Sequence, residues 1–435
     1  MRLVRLSARF LLIVWIFKAA VVRYGWARAG AGRLSREDRD RLRGRVLADT
    51  LQRLGATFVK FGQILSTRAD LLPPGIIESL GVLQDQVPPI AFEQIQAVLE
   101  GELDPQARAR LVSIEPIPIA AASVAQVHRG ELSSGESVAL KVQRPRARAQ
   151  IERDLVLMRL GARLLEWIPS IRLLSLRGAV ERFGAALLAQ LDFRREAENN
   201  LRFAANFASV EGVDVPRLFP ELCTERILAM EFIEGVRATE PEKVGGDRKA
   251  LAQRGLHAIL KMVFQDAFVH ADLHPGNILL TADDRVVLID LGLVAEIRDD
   301  MRRPWNETFI AVSQHDGVRA AELFYGYAPE VGTADYACYE RDVVQYFGTF
   351  HGKPLGEVEA SVVIGGMMNV LRRHRVQVDP IFTVVNIAML VAEGLGKQLD
   401  PELDLIGASA PHLMAAVATA PPGRGPRRSP PLAAA

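Results

Sequence analysis

Apolar residues recur at steps of three and four between Leu47 and Leu65, and this spacing predicts a helix with one apolar face. At about 100° per residue, Lys60 and Gln63 fall on the opposite side of that helix. Further apolar residues lie off the main stripe, so we expect the helix to be packed between two bodies. The alternative is a solvated face on which Lys60 and Gln63 meet water. The apolar series is Leu47, Leu51, Leu54, Phe58, Phe61 and Leu65.

Short apolar runs replace the helical pattern from about residue 114, and they predict β-strands. Helical spacing returns over 147–205 and 247–268 and then dominates to about 398. Antiparallel strands combined with many helices are typical of an α+β protein. The predicted strands are Val124–Leu132, Ser137–Gln143, Arg226–Phe232, Ile278–Thr281 and Val286–Ile289.

The same patterns divide the chain into five segments. The last of them is expected to be largely disordered, because residues 421–435 contain five prolines, three arginines and no acid. The segments are a basic apolar arm over 1–36, a helical extension over 37–112, a first lobe with a helical insertion over 113–235, a helix-rich second lobe over 236–405, and a tail over 406–435.

The composition is that of an ordinary globular protein, with 435 residues, 24% charged and 49% apolar. It excludes collagen-like, coiled-coil and wholly disordered chains. Two cysteines exclude a disulfide framework and a cysteine-rich zinc site.

The formal net charge of +1 conceals two unlike regions, because residues 1–36 hold eight Lys or Arg and no acid while the body is near −10. We therefore expect no nucleic-acid partner.

The basic arm contains eight consecutive apolar residues, Phe10–Phe17, before Lys18 interrupts the run. A membrane-spanning helix needs roughly 20 apolar residues, so a transmembrane helix is weakly supported. Apolar residues flanked by cations are typical of a helix that lies on an anionic membrane. We expect a cytoplasmic protein, bound peripherally at the cytoplasmic face. The alternatives are a cleaved signal peptide and a helix packed on the protein itself.

The strongest chemical signal is the stretch His270-Ala-Asp-Leu-His-Pro-Gly-Asn277. It matches four of the five fixed letters of the kinase catalytic loop H-R-D-L-x-x-x-N. Asp272 would accept a hydroxyl proton or orient a nucleophile, and Asn277 would hold Mg²⁺. Thirteen residues later, Asp290-Leu-Gly292 resembles D-F-G, so Asp290 would ligate Mg²⁺ at the phosphates. Either motif alone is common, but both together with a hairpin between them are specific.

A second kinase motif, V-A-I-K, is matched by Val138-Ala-Leu-Lys141. The chain has eight lysines against 45 arginines, so a lysine at this position is unexpected by chance. Lys141 would pair with the α- and β-phosphates and with a helix glutamate. Glu196 and Glu198 are the candidates for that glutamate.

Two further segments are candidates for nucleotide binding. The strand Arg226–Ile233 fits the entry to an adenine-binding hinge, where Met230 would border the base and the backbone near Glu231 and Ile233 would bond it. The alternative is a plain core strand.

No G-x-G-x-x-G precedes Lys141, and an alanine-rich loop takes its place. Alanine adopts positive φ less readily than glycine and brings a methyl group near the phosphates, so this loop should hold nucleotide less permissively. The loop residues are Ala120, Ala121, Ala122 and Ser123.

Together these motifs resemble the UbiB (AarF-type) atypical kinase family over roughly residues 45–400. The distinguishing K-x-G-Q motif of that family is present as Lys60-Phe61-Gly62-Gln63. The resemblance implies a two-lobed, protein-kinase-like α+β fold with an added N-terminal helical subdomain. In that fold the K-x-G-Q helix covers the site where a kinase would bind a protein substrate. The resemblance also implies an alanine-rich loop at 120–123, a catalytic Asp272, metal ligands Asn277 and Asp290, and an ion pair between Lys141 and Glu196.

The function that the resemblance implies is ATP or ADP binding with Mg²⁺, and hydrolysis or phosphoryl transfer in isoprenoid quinone biosynthesis or lipid homeostasis. The implied partners are an anionic membrane surface, a lipid or a quinone precursor. One motif departs from the family, because E-x-D takes the form Gln190-Leu-Asp192. Gln190 cannot supply a carboxylate opposite Lys60, so tethering of that helix is weaker or rests on Asp192 alone.

Two other functions compete with this one. The first is a small-molecule phosphotransferase of the aminoglycoside or choline kinase type, whose catalytic loop is similar but which is not expected to carry Lys60–Gln63. The second is a non-catalytic, nucleotide-gated lipid-binding scaffold. The intact Asp272, Asn277 and Asp290 argue against the scaffold. The sequence leaves the phosphoryl acceptor and the oligomeric state open.

Overall fold

The computed structural model describes residues 2–32, 34–66, 72–81, 83, 88–167, 176–333, 335–350, 359–403, 405–421, 423 and 425–429. The chain forms two compact units. The first holds the described residues up to Leu201 together with Arg217–Phe232, and the second holds Arg202–Pro216 and the described residues from Ile233 on. Residues 202–216 and 233–235, predicted to belong to the first lobe, therefore belong to the second unit.

Four helices open the first unit and share one apolar cluster, which includes Ile16, Leu51, Leu54, Phe58 and Leu80. The predicted single helix over 47–65 is in fact two helices, which corrects the sequence prediction. Gly55 separates them at φ 92°, a conformation that glycine adopts without the cost of a side chain. The helices are α1 (Arg2–Gly30), α2 (Arg36–Leu54), α3 (Ala56–Ser66) and α4 (Pro74–Gly81).

An antiparallel sheet with strand order β1-β3-β4-β6 forms the centre of the first unit, and β2 pairs with the start of β3. Val138, Leu140 and Val142 alternate along β4 and pack on Ile95 and Leu99 of the neighbouring helix. The intervening Lys141 therefore projects from the other face of the sheet. The elements are α5 (Phe92–Glu102), α6 (Pro105–Ala109), β1 (Leu111–Ile114), β2 (Ala120–Ala121), β3 (Ala125–Leu132), β4 (Ser137–Gln143) and β6 (Ile227–Glu231).

Three described helices lie between β4 and β6, and the first two of them supply the other side of α3. Phe58 of α3 packs with α2 and α4, whereas Phe61 lies 5.2 Å from the ring of Phe183 in an edge-to-face arrangement. Phe61 also contacts the cluster that contains Ile151 and Leu187. The expectation of a helix packed on two sides is confirmed. The three helices are α7 (Ala147–Leu165), α8 (Leu176–Ala189) and α9 (Phe193–Phe207).

The second unit is mainly helical, with two small sheets. One has the strand order β5-β10-β9-β7, and the other pairs β8 with β11. Its core includes the buried side chains of Trp305, Tyr339 and Phe382. The strands are β5 (Val213–Asp214), β7 (Val236–Arg237), β8 (Phe268–His270), β9 (Ile278–Leu280), β10 (Val286–Leu288) and β11 (Val294–Glu296). The helices are α10 (Arg248–Leu260), α11 (Asp299–Ser313), α12 (Gly317–Tyr327), α13 (Tyr336–Gly348), α14 (Ala360–Arg373), α15 (Pro380–Leu399) and α16 (Leu405–Thr419).

The C-terminal segment contradicts the prediction of a largely disordered tail. Helix α16 occupies half of that segment, and its Leu413 and Ala416 are buried in the core of the second unit. Farther on, Arg428 donates from Nη1 to the carbonyl of Ala328 over 2.6 Å. The prediction failed because it extended the proline and arginine bias of 421–435 back over an apolar, alanine-rich stretch with high helix propensity.

Helix α1 is docked on the first unit rather than forming a separate arm. Ile16 and Ala20 are buried, and Arg9 forms an ion pair over 2.8 Å with Asp154 of α7, whose side chain is 1% exposed. The interpretation of this segment as a helix packed on the protein itself is therefore correct for one of its faces. None of the described helices combines the length and the apolar character needed to cross a bilayer.

Candidate functional site

Lys141 and Glu196 are brought together in the first unit. Lys141 lies in β4, between Val127 of β3 and Leu228 of β6. Its Nζ donates to both carboxylate oxygens of Glu196, over 2.7 and 2.8 Å. The two side chains are only 13% and 5% exposed, whereas Glu198 is exposed. The structure thus selects Glu196 as the partner of Lys141.

Two residues that the sequence reading missed position this ion pair. The ring of Phe193 is buried with its centroid 5.4 Å from Lys141 Nζ, a distance at which the ring attracts the cation. Gln143, two residues after Lys141, donates from Nε2 to the carbonyl of Leu191 over 2.7 Å. This bond ties β4 to the start of α9. The signal available in the sequence was the spacing of Phe193 and Glu196, which places both on one face of a helix.

The alanine-rich segment is the start of a hairpin, which corrects its prediction as a loop. Ala120 and Ala121 pair with Val127 and Gln126, and Ala122 donates its N–H to the carbonyl of Ala125 over 2.9 Å. None of residues 120–123 has positive φ. Alanine fits here because the backbone stays in the region that L-residues prefer.

The predicted hinge residues lie at the end of β6. Met230 is buried opposite Ala139, and Glu231 lies opposite Val138. The N–H of Glu231 donates to the carbonyl of Arg217 over 2.7 Å, so this donor is already used within the protein. Ile233, the first residue of the long C-terminal stretch of the second unit, is half-buried.

In the second unit, His270 organises the catalytic-loop motif. Its Nδ1 accepts the N–H of Asp272 over 3.2 Å, so its Nε2–H donates to the carbonyl of Ile289 over 3.1 Å. Burial lowers the pKa of His270, which keeps the ring neutral. The side-chain amide of Asn277 donates from Nδ2 to the carbonyl of Asp272 over 3.0 Å. His270 and Asn277 thereby fix the backbone on both sides of Asp272.

Two short ladders bring Asp272, Asn277 and Asp290 to the same region of this unit. Ile278 pairs with Leu288, and the N–H of Ile289 donates to the carbonyl of Asn277 over 3.0 Å. His270 pairs with Val294 in the other ladder. Asp290, exposed and next to Ile289, has φ 58°, which costs a non-glycine residue about 1–2 kcal/mol.

The oxygen atoms of this group fit Mg²⁺. Because Asn277 donates its hydrogen bond through Nδ2, its Oδ1 can serve as a metal ligand. Asp290 is exposed and presents its carboxylate to solvent. Mg²⁺ prefers such hard oxygen ligands and is held in proteins by one or two carboxylates together with substrate phosphates.

Two other histidines, His128 and His274, make structural hydrogen bonds. His128 is buried, and its Nδ1–H donates to the carbonyl of Glu115 over 2.9 Å. The Nδ1 of His274 accepts the N–H of Gly276 over 3.1 Å, and this caps the following helical turn.

The K-x-G-Q residues lie in α3 and have distinct environments. Lys60 lines a small cavity with Ser123 and Gln150 of the same unit. Gly62 is buried where α3 meets Leu51 and Leu83, and a β-carbon there would lie 2.6 Å from Leu51 Cδ1. Gln63 donates from Nε2 to the carbonyl of Leu83 over 3.1 Å. Gly62 and Gln63 therefore hold α3 against its neighbours.

The altered E-x-D segment connects α8 to α9. Gln190 ends the last turn of α8, and its N–H donates to the carbonyl of Ala186. Asp192 accepts hydrogen bonds from Arg194 Nε, over 2.9 Å, and from the Arg194 N–H, over 3.2 Å. These bonds hold the pKa of Asp192 below its usual range. Asp192 thus caps the helix that carries Glu196.

Comparison with known proteins places the chain in a family. The model of the ABC1 atypical kinase-like domain matches residues 82–324. The chain belongs to this atypical kinase family. A second model, the UbiB helical domain, matches residues 344–404 of this UbiB-type chain.

Curated relatives agree with this assignment. A probable protein kinase UbiB of Aeromonas hydrophila is 36% identical over 382 residues, which cover 85% of this chain and 70% of the relative. A protein of the same name from Vibrio atlanticus is 35% identical over 396 residues, which cover 87% of this chain and 72% of the relative.

A solved structure with the same fold is that of Mycobacterium tuberculosis Rv3197 in complex with erythromycin. It matches with a TM-score of 0.51 and 22% identity, covering 81% of this chain and 94% of the other. The expected α+β, two-lobed, kinase-like fold of this family member is confirmed.

Proposed function

We propose that this chain binds ATP or ADP with Mg²⁺ and hydrolyses the nucleotide or transfers its phosphoryl group. The observation that carries the proposal is the Lys141–Glu196 ion pair, buried and doubly hydrogen-bonded. Removing two charges from water is costly even when they form an ion pair, so this pair is better explained by a function than by stability. A lysine fixed in this way is the phosphate-binding element of kinases.

Each remaining residue has a role in this proposal. Lys141 binds the α- and β-phosphates, and Asp272 orients the attacking hydroxyl or water and accepts its proton. Asn277 and Asp290 would hold Mg²⁺, which neutralises phosphate charge when bound. The Ala120–Ser123 hairpin, Met230, the backbone carbonyl of Glu231 and the backbone of Ile233 bind the rest of the nucleotide.

Nucleotide turnover by the full chain tests the proposal. With Mg²⁺, wild type should hydrolyse ATP, and Asp272→Asn should bind nucleotide with near wild-type affinity while losing 10²-fold or more of its turnover. Turnover of Asp272→Asn at the wild-type rate would refute the assignment. Turnover that requires an added small alcohol would instead identify a small-molecule phosphotransferase. Nucleotide binding with no turnover under any condition would identify the scaffold.

We further propose that the protein acts at a membrane, in isoprenoid quinone biosynthesis or lipid homeostasis. The face of α1 opposite its buried side carries Leu11, Trp15, Val22 and Trp26, and the two tryptophans are 65% and 78% exposed. Tryptophan favours the membrane–water interface, and the lysine and arginine residues of α1 other than the ion-paired Arg9 and Arg23 match anionic head groups.

Vesicle flotation tests membrane binding. Wild type should float with vesicles of phosphatidylglycerol and phosphatidylcholine, and a Trp15→Gln, Trp26→Gln double variant should float at least tenfold less. Trp167→Gln, which changes a tryptophan that is 86% exposed outside α1, is the matched control and should float like wild type. Equal flotation of the double variant would exclude α1 as the membrane-binding element.

A further inference from the structure

Three side chains of different chemistry lie close together in the second unit. The proposed nucleotide chemistry uses none of them. Cys338 and Asp342 are one turn apart on α13, and His374 follows the last residue of α14. One ligand atom from each lies within 4.8 Å of the other two. Over the part of the chain that the structure describes, this is the one such group of three His, Cys, Asp or Glu residues.

The surroundings fix these side chains in place. The carboxylate of Asp335 caps the start of α13 by accepting the N–H of Cys338 over 2.9 Å. The ring of Tyr339 is buried between the helices and meets the ring of His374 edge-to-face, with centroids 5.6 Å apart. Arg375, at φ 53°, ends α14 directly after His374. Both helices therefore present the group from well-packed positions.

One distance in this group is close to that of a tetrahedral metal site, and the ligand atom of Cys338 lies within 4.8 Å of those of the other two residues. His374 Nε2 lies 2.9 Å from Asp342 Oδ2. Ligand atoms around Zn²⁺ are about 3.3–3.8 Å apart, because the bonds are about 2.0–2.3 Å long. A change of a few tenths of an ångström at the rotatable Asp342 side chain would open the hydrogen bond enough to admit a cation.

The ligand types select a borderline-soft divalent ion. Thiolate, imidazole and carboxylate together suit Zn²⁺ and its substitute Co²⁺, whereas Mg²⁺ takes oxygen ligands. A thiolate and a carboxylate would balance the two positive charges of the ion. Arg373 Nη1 lies 3.4 Å from Asp342 Oδ2, but this side chain is 67% exposed and can turn into solvent. All three ligands are only partly buried, so water can complete the coordination.

We propose that Cys338, Asp342 and His374 form a Zn²⁺ site that links α13 to α14. Three protein ligands with a water as the fourth give tetrahedral coordination. Binding requires the Cys338 thiol to release its proton to solvent, and it requires the neutral His374 ring to keep its single proton on Nδ1, so that Nε2 can bind the metal.

Cobalt absorption of the full, tag-free chain tests this site directly. After chelator treatment, with excess Mg²⁺ to occupy oxygen ligands, one equivalent of Co²⁺ should give a thiolate-to-metal charge-transfer band. The band should vanish in Cys338→Ser and persist in Cys223→Ser, which removes the other cysteine. His374→Gln should weaken Co²⁺ binding by about 100-fold or more, since loss of an outer partner alone costs about 10–100-fold.

A second measurement separates metal binding from a folding defect. Without metal, the Cys338→Ser and wild-type proteins should melt at the same temperature, and Zn²⁺ should raise the melting temperature of wild type only. Arg373→Ala should tighten binding several-fold, because it removes a competing cation from Asp342. The absence of a thiolate band in wild type, its persistence in Cys338→Ser, or equal Zn²⁺ stabilisation of both proteins would overturn the proposal.

Discussion

At the scale of single residues, the choice between Glu196 and Glu198 gives a matched pair of variants. Glu196→Gln removes one charge of a buried ion pair, so Lys141 loses its anchor. We expect turnover to fall on the order of 100-fold, as for a misplacement of about 1 Å. Glu198→Gln changes an exposed carboxylate on the same helix and should keep wild-type turnover. Equal losses in the two variants would contradict the assigned role of Glu196.

Asp290 gives a second prediction because its backbone is strained. Asparagine tolerates positive φ as well as aspartate does, so Asp290→Asn removes the carboxylate without new strain. We expect nucleotide affinity to lose its dependence on Mg²⁺ while the melting temperature is unchanged, measured by titration with and without Mg²⁺. Asp284→Asn, at φ 64° in a turn, is the control and should retain the dependence. A Mg²⁺ response in Asp290→Asn equal to wild type would exclude Asp290 as a ligand.

The site residues were predictable from the sequence only where a motif fixes both residue type and spacing. Asp272, Asn277 and Asp290 lie in such motifs, and the ladders around them explain why the spacing matters. Phe193 and Gln143 belong to no short motif, since their contacts with Lys141 and with the carbonyl of Leu191 depend on how a distant helix packs on β4. Periodicity within one element cannot show that packing.

At the scale of elements, Gly62 decides how closely α3 packs. An added methyl group would collide with the buried side chains of Leu51 and Leu83. We expect Gly62→Ala to reduce the free energy of unfolding by about 1–3 kcal/mol, measured by urea denaturation, despite the helix propensity of alanine. Gly161→Ala is the control, because a β-carbon there meets nothing within 4 Å, and it should be neutral or stabilising. A Gly62→Ala protein as stable as wild type would show that α3 can shift without cost.

Element boundaries were less predictable than element types. The apolar series from Leu47 to Leu65 stays in phase through Gly55, and a single glycine within a helical pattern is tolerated, so the break between α2 and α3 left no signal in the spacing. The hairpin at Ala120–Ala121 was hidden for a different reason. Its pairing with Gln126 and Val127 is a property of the sheet, whereas alanine itself disfavours strands.

At the scale of the whole molecule, the charge of the N-terminal segment has two uses. Residues 1–36 hold eight cations and no acid. Arg9 and Arg23 form ion pairs with Asp154 and Asp49 of the first unit, so they attach α1 to the protein and are not available to lipid head groups. A membrane role for α1 therefore rests on its exposed apolar face and the remaining cations.

The attachment of α1 yields the last prediction. Arg9→Ala leaves the carboxylate of Asp154, 1% exposed, buried without its partner, and such a loss costs about 3–5 kcal/mol. We expect a lower melting temperature and faster proteolysis within α1. Arg28→Ala is the control, because Arg28 donates only to the nearby carbonyl of Gly32 in an exposed position, and its stability should stay within about 0.5 kcal/mol of wild type.

If Arg9→Ala melted like wild type, the Arg9–Asp154 contact would not hold α1 in place, and removal of residues 1–33 would become a clean test of membrane binding. If it is destabilised as expected, that truncation would also expose the apolar cluster around Ile16, and flotation has to be judged from the surface tryptophan variants instead.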